Sequence, residues 1–293
     1  AVSSTVYTAT FTPTGDGTCT ITVEAGKFSD ASDTNITNNA TTPFTWISDT
    51  TVPTLSSVSL ESNNSTNTVA KESDVITLTF TASETISTPT VTFKSGGDSI
   101  QDTTISYNNT SGNTWTAAYT VNSDDTDGSV TYSIAFTDSA GNNGTAVTSG
   151  SGSVSVDTTR PTAAISYSPS GPFKENDSVT ITATFSESMK DSPIPQIAIA
   201  GSGIDDTNAT NMTKTSATVY TYTYTVPSGD GTGTISLSNG EDLAGNSVTN
   251  NPTSGSTFTV DNTVPTLSNV SIVSNNTTDT LAETTDVVDA SEF

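Results

Sequence analysis

One short junction sequence recurs three times along this chain and sets the period into which the rest must fold. It reads Ser-Asp-Thr-Thr-Val-Pro-Thr at 48–54, Val-Asp-Thr-Thr-Arg-Pro-Thr at 156–162 and Val-Asp-Asn-Thr-Val-Pro-Thr at 260–266. The aspartates of successive copies lie 108 and 104 residues apart. A period of that length fits one compact domain per repeat, not a short solenoid repeat, and the proline fixes φ where each new domain begins. The chain is therefore predicted to be a tandem array.

The repeat divides the 293 residues into four segments. Residues 53–157 and 160–261 are predicted to be complete domains, because each is long enough to bury its own core. Residues 1–49 match the closing half of such a domain, and residues 264–293 match its opening strands, with 14 of 23 aligned positions identical to the first complete domain. Both end segments are expected to pack against other protein. They are too short together to make one full domain, so a longer parent chain is favoured over strand exchange with a neighbouring copy.

Alternation of apolar and hydroxyl residues predicts β-strands throughout. Ile, Leu and Phe alternate with Thr at 76–80, and the pattern recurs at 179–185 at a constant offset. Further strands are predicted at 7–11 and 19–23, on either side of a Pro-Thr-Gly-Asp-Gly-Thr turn. No stretch shows a sustained helical period, and about seven short strands in roughly 100 residues is the number expected of an immunoglobulin-like (Ig-like) sandwich.

The charge balance restricts the class of partner. Seven Lys and Arg stand against 31 Asp and Glu, which gives a net charge of −24. Such a field repels nucleic acid and anionic membranes and attracts cations, although it also serves solubility alone. No run approaches the ~20 apolar residues of a membrane span, so no membrane insertion is predicted for this segment. No signal-peptide pattern opens the chain, and an export signal and anchor are expected elsewhere in a longer protein.

Residue types argue against catalysis. The chain has no histidine and one cysteine, which excludes Ser-His-Asp and Cys-His arrangements within it and argues against a zinc site. A carboxylate pair for glycoside hydrolysis is allowed by residue type, but the prominent acids recur at matching repeat positions, which indicates a structural role. The chain is therefore predicted not to be an enzyme. Cys19 lies in an apolar strand pattern and is interpreted as a packing residue.

Several motifs carry a resemblance to a known class of proteins. They are the Asp-Thr-Thr-x-Pro-Thr junctions, Phe-Ser-Glu at 185–187, Tyr-x-Tyr-x-Val-Pro-Ser-Gly-Asp-Gly-Thr at 222–232, and Asp-x-Ala-Gly-Asn at 138–142 and 242–246. With them the chain resembles the bacterial and archaeal Ig-like tandem repeats of giant cell-surface proteins, such as surface-layer proteins and adhesin stalks. The resemblance implies an all-β, beads-on-a-string array located outside the cell. It also implies calcium at domain ends.

Acidic residues near the junctions are the candidate calcium ligands. Asp138 with Asp157, and Asp242 with Asp261, could converge with backbone carbonyls near a domain end, since Ca²⁺ takes six to eight oxygen ligands flexibly. The alternative is an acidic turn in which the aspartate caps its own backbone. A second acidic loop, 124–128, lacks the final glutamate of a calcium loop, so a solvated hairpin is favoured there. The full candidate metal set is Asp49, Glu84, Asp138, Asp157, Glu187, Asp242 and Asp261.

Two further patterns allow contact with sugars. A tyrosine strip at 220–224 could stack on a glycan, but period-two aromatics facing a sandwich core is the favoured interpretation. Asn-x-Ser/Thr sequons become glycosylation sites only if the chain is exported in a cell that glycosylates. They begin at Asn35, Asn39, Asn63, Asn64, Asn108, Asn109, Asn143, Asn176, Asn208, Asn211, Asn269, Asn275 and Asn276.

The sequence therefore predicts a structural segment of an exported cell-surface protein: a surface-layer, sheath or filament subunit that associates with copies of itself. The alternative is a stalk or ligand-binding module of a large adhesin that recognises glycan or another surface. A lattice subunit should bury surfaces between chains, whereas an adhesin stalk should have isolated, rod-like domains.

Overall fold

All regular structure in the chain is β-strand, in a computed structural model that describes residues 5–268, 271–274 and 288–291. These ranges contain no helix, and therefore none long and apolar enough to cross a bilayer. The predicted all-β, Ig-like class is confirmed. The physical reason is the period-two pattern, which places every second side chain on one face of a pleated strand.

By backbone contacts the chain divides into two compact units. The first holds Ala1–Thr159 with Leu243–Asn246, and the second holds Arg160–Asp242 with Ser247–Phe293. The finer division into segments 1–49, 53–157, 160–261 and 264–293 stays a prediction from the repeat.

The first unit contains a sandwich of two sheets. Its strands are β1 (Gly17–Ile21), β2 (Phe44–Ser48), β3 (Leu55–Ser62), β4 (Val69–Ala70), β5 (Val75–Ala82), β6 (Thr90–Ser95), β7 (Asp98–Ser99), β8 (Ser106–Ser111), β9 (Thr114–Thr120), β10 (Gly128–Ala135) and β11 (Ser155–Val156). One sheet has the order β3-β5-β9-β8 and the other β4-β11-β10-β6-β7, with β11 parallel to β4. Connections that change sheet, such as β9 to β10, close the sandwich.

The core of the first sandwich is filled from both sheets. Ile76, Leu78 and Phe80 of β5 are fully buried, as their alternation predicts, and Phe93 and Ile134 meet them from the facing sheet. Burying each such side chain stabilises the fold by roughly 1.5–3 kcal/mol.

The second unit repeats the plan. Its strands are β12 (Ala163–Ser168), β13 (Ser178–Phe185), β14 (Gln196–Ser202), β15 (Thr207–Asn211), β16 (Thr213–Lys214), β17 (Val219–Thr225), β18 (Gly231–Ser238), β19 (Thr257–Val260), β20 (Ser271–Ser274) and β21 (Val288–Ser291). The two sandwich sheets run β12-β13-β17-β16 and β15-β14-β18-β19, and β20 pairs with β21. Val179, Ile181, Ala183 and Phe185 of β13 are buried.

The tyrosine strip of β17 faces this second core. Tyr220 and Tyr224 are buried, and Tyr222 is half-buried and packs against the same cluster. The interpretation as core aromatics is confirmed. The buried rings of Tyr220 and Tyr224 offer no open face on which a sugar could stack.

The predicted strand at 7–11 is wrong. These residues adopt no regular structure, although the ring of Tyr7 lies 5.4 Å from that of Phe28 and Phe11 lies edge-on to Trp46 at 5.5 Å. A strand requires a partner for its backbone hydrogen bonds, and among the described residues none pairs with this stretch. The contacts described for this stretch are therefore between aromatic rings and not the backbone hydrogen bonds of a sheet.

The remaining end elements are small sheets. In the β1–β2 pair, Cys19 is a free, half-buried cysteine directly opposite Trp46, which agrees with a packing role. Near the other end, Ser271 and Ile272 of the predicted opening strand lie in β20, whereas Leu267 is exposed and positions 269–270 lie outside the described residues. That the end segments pack against other protein stays a prediction.

Two equivalent tyrosines place a hydroxyl inside the cores. Tyr119 pairs across the sheet with Ile76, and Tyr224 pairs with Val179, the residue equivalent to Ile76. Their side chains are 2% and 4% exposed, and neither hydroxyl has a hydrogen-bond partner in the described chain. Burial raises the pKa of both phenols. A buried polar group without a partner costs free energy, so these hydroxyls oppose the stability that their rings supply.

We expect Tyr119→Phe to raise the free energy of unfolding by about 1 kcal/mol, because it removes an unsatisfied buried hydroxyl and keeps the ring. The matched control is Tyr107→Phe, which removes a hydroxyl that accepts a hydrogen bond from the Val91 backbone N–H at 2.9 Å. That control should lose about 1 kcal/mol. Urea unfolding measures both variants, and a loss of stability in Tyr119→Phe equal to the control would contradict the prediction.

Candidate metal centre

Asp138 organises the turn that follows β10. Its Oδ1 accepts hydrogen bonds from the backbone N–H groups of Ala140, Gly141 and Asn142 at 2.7–2.8 Å. Gly141 has φ of 100°, a conformation that disfavours residues with a Cβ. The structural interpretation of Asp-x-Ala-Gly-Asn is therefore confirmed for this copy: the aspartate caps its own turn.

The asparagine of the same motif ties this turn to the preceding junction. Asn142 Nδ2 donates to Asp138 Oδ2 at 2.8 Å and to the backbone carbonyl of Asp49 at 3.0 Å. In the next copy, Asn246 Nδ2 donates to the carbonyl of Asp157 at 2.9 Å. Sequence reasoning missed this role, although the signal was available, because asparagine ends both copies of the motif.

Three carboxylates meet beside this link. Asp49 follows β2, Glu84 follows β5 and Asp138 follows β10, and each offers an oxygen that lies within 4.8 Å of the other two. Asp138 is buried, and the other two are half-buried. Calcium–oxygen distances are about 2.3–2.6 Å, so oxygens on opposite sides of one ion are separated by roughly 4.6–5.2 Å. The cluster therefore fits the size of a calcium shell and would supply part of its six to eight ligands.

The electrostatics of the cluster favour a cation. Burial, and then the charges of Asp49, Asp138 and Asp16, raise the pKa of Glu84. At Asp138 burial acts to raise the pKa, but hydrogen bonds from the Asn142 side chain and from backbone N–H groups outweigh it and hold the pKa below its usual value. No Lys or Arg of the described chain forms an ion pair with these three carboxylates.

The expected convergence of Asp138 with Asp157 is wrong. Gly128 at the start of β10 pairs with Val156, so Asp157 lies beside the beginning of β10, whereas Asp138 lies beyond its end. Eight residues of strand at about 3.3 Å each separate the two ends. Asp138 meets Asp49, the aspartate of the preceding junction, instead.

The second unit has the same arrangement of strands. Gly231 of β18 pairs with Val260, so Asp261 lies at the start of that strand and the buried Asp242 lies after its end. These two residues therefore do not converge either. Asp242 bridges to Met189, two residues after the half-buried Glu187, and the Asp261 carboxylate accepts a hydrogen bond from the Thr263 N–H at 2.9 Å.

The acidic loop at 124–128 is not a solvated hairpin. It connects β9 to β10, which belong to different sheets, and Asp125 within it is buried. The Asp125 carboxylate accepts hydrogen bonds from the N–H groups of Gln101 at 2.7 Å and Asn122 at 3.0 Å. The physical reason for the error is that a loop between two sheets needs an internal acceptor for its backbone, which composition alone does not reveal.

A different aspartate, the one in the turn just before β1, β10 or β18, binds the two residues that follow the junction aspartate. We call this set of contacts the junction clasp. In the first copy Asp16 accepts from the Thr50 N–H at 2.6 Å and from the hydroxyls of Thr50 and Thr51. In the second copy Asp127 accepts from the Thr158 N–H at 2.7 Å and from the Thr159 hydroxyl at 2.6 Å.

The third clasp has the same contacts, although Asn262 stands where the first two junctions have a threonine. Asp230 accepts from the backbone N–H of Asn262 and from the hydroxyl of Thr263 at 3.2 Å. Sequence reasoning missed all three clasps. It treated the Asp-Gly turns and the junctions as separate features, although the junction aspartate follows the turn aspartate by 33, 30 and 31 residues in the three copies.

Most of the sequon asparagines lie on the surface. The exception among the described ones is Asn64, which is half-buried and whose Nδ2, the atom that would carry a glycan, donates to Asp74 Oδ2 at 2.6 Å and to the Ala244 carbonyl at 2.8 Å. Three sequon asparagines, Asn269, Asn275 and Asn276, lie outside the described residues. The exposed ones are Asn35, Asn39, Asn63, Asn108, Asn109, Asn143, Asn176, Asn208 and Asn211.

Comparisons with known proteins give remote structural neighbours. No family model and no curated protein matches the sequence. Among solved structures, the Escherichia coli adhesin FdeC aligns over 87% of this chain and 87% of its own, with 14% identity and a TM-score of 0.39. An I-band fragment of titin aligns over 72% and 65%, with 15% identity and a TM-score of 0.33. Mouse nectin-like molecule 4 aligns over 74% and 69%, with 14% identity and a TM-score of 0.31. Likenesses this remote carry no argument about function.

The clasps predict a pH dependence of stability. Hydrogen bonds from the Thr51 hydroxyl, and then from Thr50, lower the pKa of Asp16 to about 2. At Asp127 burial acts to raise the pKa, but hydrogen bonds from Thr159 and Thr158 outweigh it and lower the pKa. A carboxyl with a depressed folded pKa stabilises the fold above its unfolded pKa, 3.8 for both residues. That contribution is lost as the pH falls through the folded value.

We expect Asp127→Asn to lower the free energy of unfolding at pH 7 by about 1 kcal/mol, since the clasp is exposed and partly screened. Asp124→Asn, an exposed aspartate of the same loop, is the matched control. Chemical unfolding of both variants across an acid series should show their difference shrinking as the wild-type carboxyl protonates. A difference that is constant with pH would exclude the charged clasp.

Proposed function

We propose that this chain is a structural segment of an exported cell-surface protein, a surface-layer, sheath or filament subunit built from tandem Ig-like domains and stiffened by calcium. The observation that carries the proposal is the repetition of one junction clasp at all three copies of the junction. Each clasp joins a strand-entry turn to the two residues after the junction aspartate. A chain that fixes the end of each repeat in the same way is suited to a repeated structural array.

Calcium is proposed as the ion of the Asp49–Glu84–Asp138 cluster. The donor set consists of carboxylate oxygens, which are the hard ligands that calcium prefers, and their mutual distances suit its shell. Asp138 and Asn142 already fix one wall of the cluster through the turn, so an ion would add to an ordered site. In a chain of net charge −24, a divalent cation at the junction would also reduce repulsion between neighbouring carboxylates.

The location and partners follow from the same proposal. We propose an extracellular position at the cell surface, with copies of the same protein as neighbours. Glycans are proposed as modifications at the exposed sequons, where the asparagine side chains reach solvent.

An adhesin module remains the second candidate, and one observation bears on it. A cavity of about 330 Å³ in the second unit is lined by Tyr167, Phe173 and Phe258, together with Pro172 and two threonines. Phe173 and Phe258 are buried, at 2% and 7% exposure, and Tyr167 donates its hydroxyl to the Gly255 carbonyl. Phe173 and Phe258 therefore expose little ring surface on which a sugar could stack, which favours the structural role.

Calcium should raise the melting temperature of the chain. Binding to the folded state alone stabilises by about 2.7 kcal/mol when free calcium is a hundredfold above Kd. Glu84→Gln removes one of the three carboxylates and should weaken binding on the order of tenfold or more. Glu61→Gln, an exposed glutamate of β3, is the matched control and should respond like the wild type. Scanning calorimetry with calcium and with chelator measures all three proteins.

Identical melting curves in calcium and in chelator would overturn the calcium proposal, as would equal responses of Glu84→Gln and Glu61→Gln. Proton release gives an independent readout. The pKa of Glu84 is raised, so calcium binding near that pKa should displace a proton, and Glu84→Gln should abolish this release.

The cell-surface role is tested by imaging. Electron microscopy of the producing cells, with antibodies against this chain, should place the label in a regular layer, sheath or filament. Label confined to the cell interior, or to isolated stalk tips that bind glycan, would overturn the structural role.

A further inference from the structure

Two long edge strands of the sandwiches, β3 and β12, are covered by their own chain. In the first unit, β3 exchanges hydrogen bonds with Ser151: Leu60 N–H donates to the Ser151 carbonyl at 3.0 Å, and Ser151 N–H donates to the Val58 carbonyl at 2.8 Å. The second unit covers β12 in the same way, with Ile165 N–H donating to the Ser254 carbonyl at 3.0 Å. Covering an edge in this manner prevents other strands from pairing with it.

Among the edge strands longer than two residues, β8 and β15 are left open in the described chain. Strand β8 pairs only with β9, and β15 pairs only with β14, each as the last strand of its sheet. Within the described residues no backbone hydrogen bond or bridge reaches the outer side of either strand. An open edge presents a row of backbone donors and acceptors that can pair with another strand.

Neither open edge strand carries a charged side chain, although the chain is strongly acidic. Strand β8 reads Ser-Tyr-Asn-Asn-Thr-Ser and lies in an uncharged stretch that spans 103–123, and β15 reads Thr-Asn-Ala-Thr-Asn, directly after Asp206. Charged residues and proline, which usually protect edges, are absent from both strands. Copies of a chain with net charge −24 repel one another generally, so neutral strands are where two copies can approach with the least repulsion.

The β8 edge is also held in place before any partner arrives. The hydroxyl of Tyr107 accepts a hydrogen bond from the Val91 N–H at 2.9 Å, which anchors β8 to a strand of the facing sheet. The register of β8 with β9 is regular from Ser106 to Asn109 and shifts between Asn109 and Ser111. The regular part offers about four residues for pairing, so a contact through one edge would be weak. Because β8 is already ordered, pairing would cost little conformational entropy.

We propose that β8 and β15 are self-association edges, each of which pairs antiparallel with the same strand of a second copy of this chain. A strand paired antiparallel with its own copy forms a two-fold contact in which the same residues face each other. Two such edges give each copy two attachment points, which allows an open array instead of a closed pair. The inference rests on the proposed structural role and names the surfaces that would build the assembly.

The test uses isosteric charge insertion in the full chain. Asn109→Asp with Asn208→Asp places a negative charge on each open edge, and like charges facing across a two-fold contact repel. The matched control is Asn63→Asp with Asn176→Asp, which adds the same charge, also removes two sequons, and changes exposed loop residues, one in each unit. The wild type and both double variants are produced in a host without N-glycosylation. Sedimentation velocity then compares their association over a concentration series at low and high salt.

We expect wild type and control to associate as concentration and salt rise, because salt screens the general repulsion. The edge variant should associate roughly three- to tenfold more weakly at low salt, with a smaller difference at high salt. In the wild type, amide hydrogen exchange at 106–109 should slow as the chain associates.

Association that is equal in the edge and control variants would overturn the inference and leave the proposed structural role standing, with its interface elsewhere. Absence of association at every salt concentration would overturn the inference as well. The structural role is judged separately, by the position of the label on producing cells.

Discussion

The hydrogen bonds of one turn carboxylate determine how this chain passes from one repeat to the next. In each junction clasp an aspartate at the entrance to a strand accepts hydrogen bonds from a backbone N–H and from hydroxyls just after the junction. Such charge-assisted bonds are stronger than neutral ones and fix direction as well as distance. A chain rich in Ser, Thr and Asn can supply donors at this point without basic residues, of which it has only seven.

The acidic cluster depends on a different link, although it lies at the same junction. Asn142 holds the Asp49 carbonyl and the Asp138 carboxylate together, and Glu84 lies beside them, so that three carboxylates lie within reach of one ion. Burial raises the pKa of Glu84, and the neighbouring carboxylates raise it further. The Asp-x-Ala-Gly-Asn motif therefore serves both the fold and the proposed ion binding. Asp138 caps the backbone of its own turn and also belongs to the carboxylate cluster.

The charge distribution connects the junctions with the proposed assembly. A chain of net charge −24 keeps its copies apart over most of its surface, and the two open edges are uncharged. Cations bound at the junctions would lower the repulsion between neighbouring carboxylates, and uncharged edge strands would lower the repulsion between two copies of the chain. Both effects would favour assembly. The covered edges of β3 and β12 restrict pairing to the strands that remain.

The sequence by itself determined the all-β class and the buried faces of strands such as β5, β13 and β17, because a period of two decides which face of a strand each side chain occupies. Ile76 and Tyr220 could be assigned to the core on that ground alone. Only the tertiary structure decided that Asp138 meets Asp49 instead of Asp157, that Asp125 is buried, and that 7–11 forms no strand. These outcomes depend on which strand ends share an edge of the fold and on which backbone groups find partners, and both are properties of the three-dimensional arrangement of distant segments.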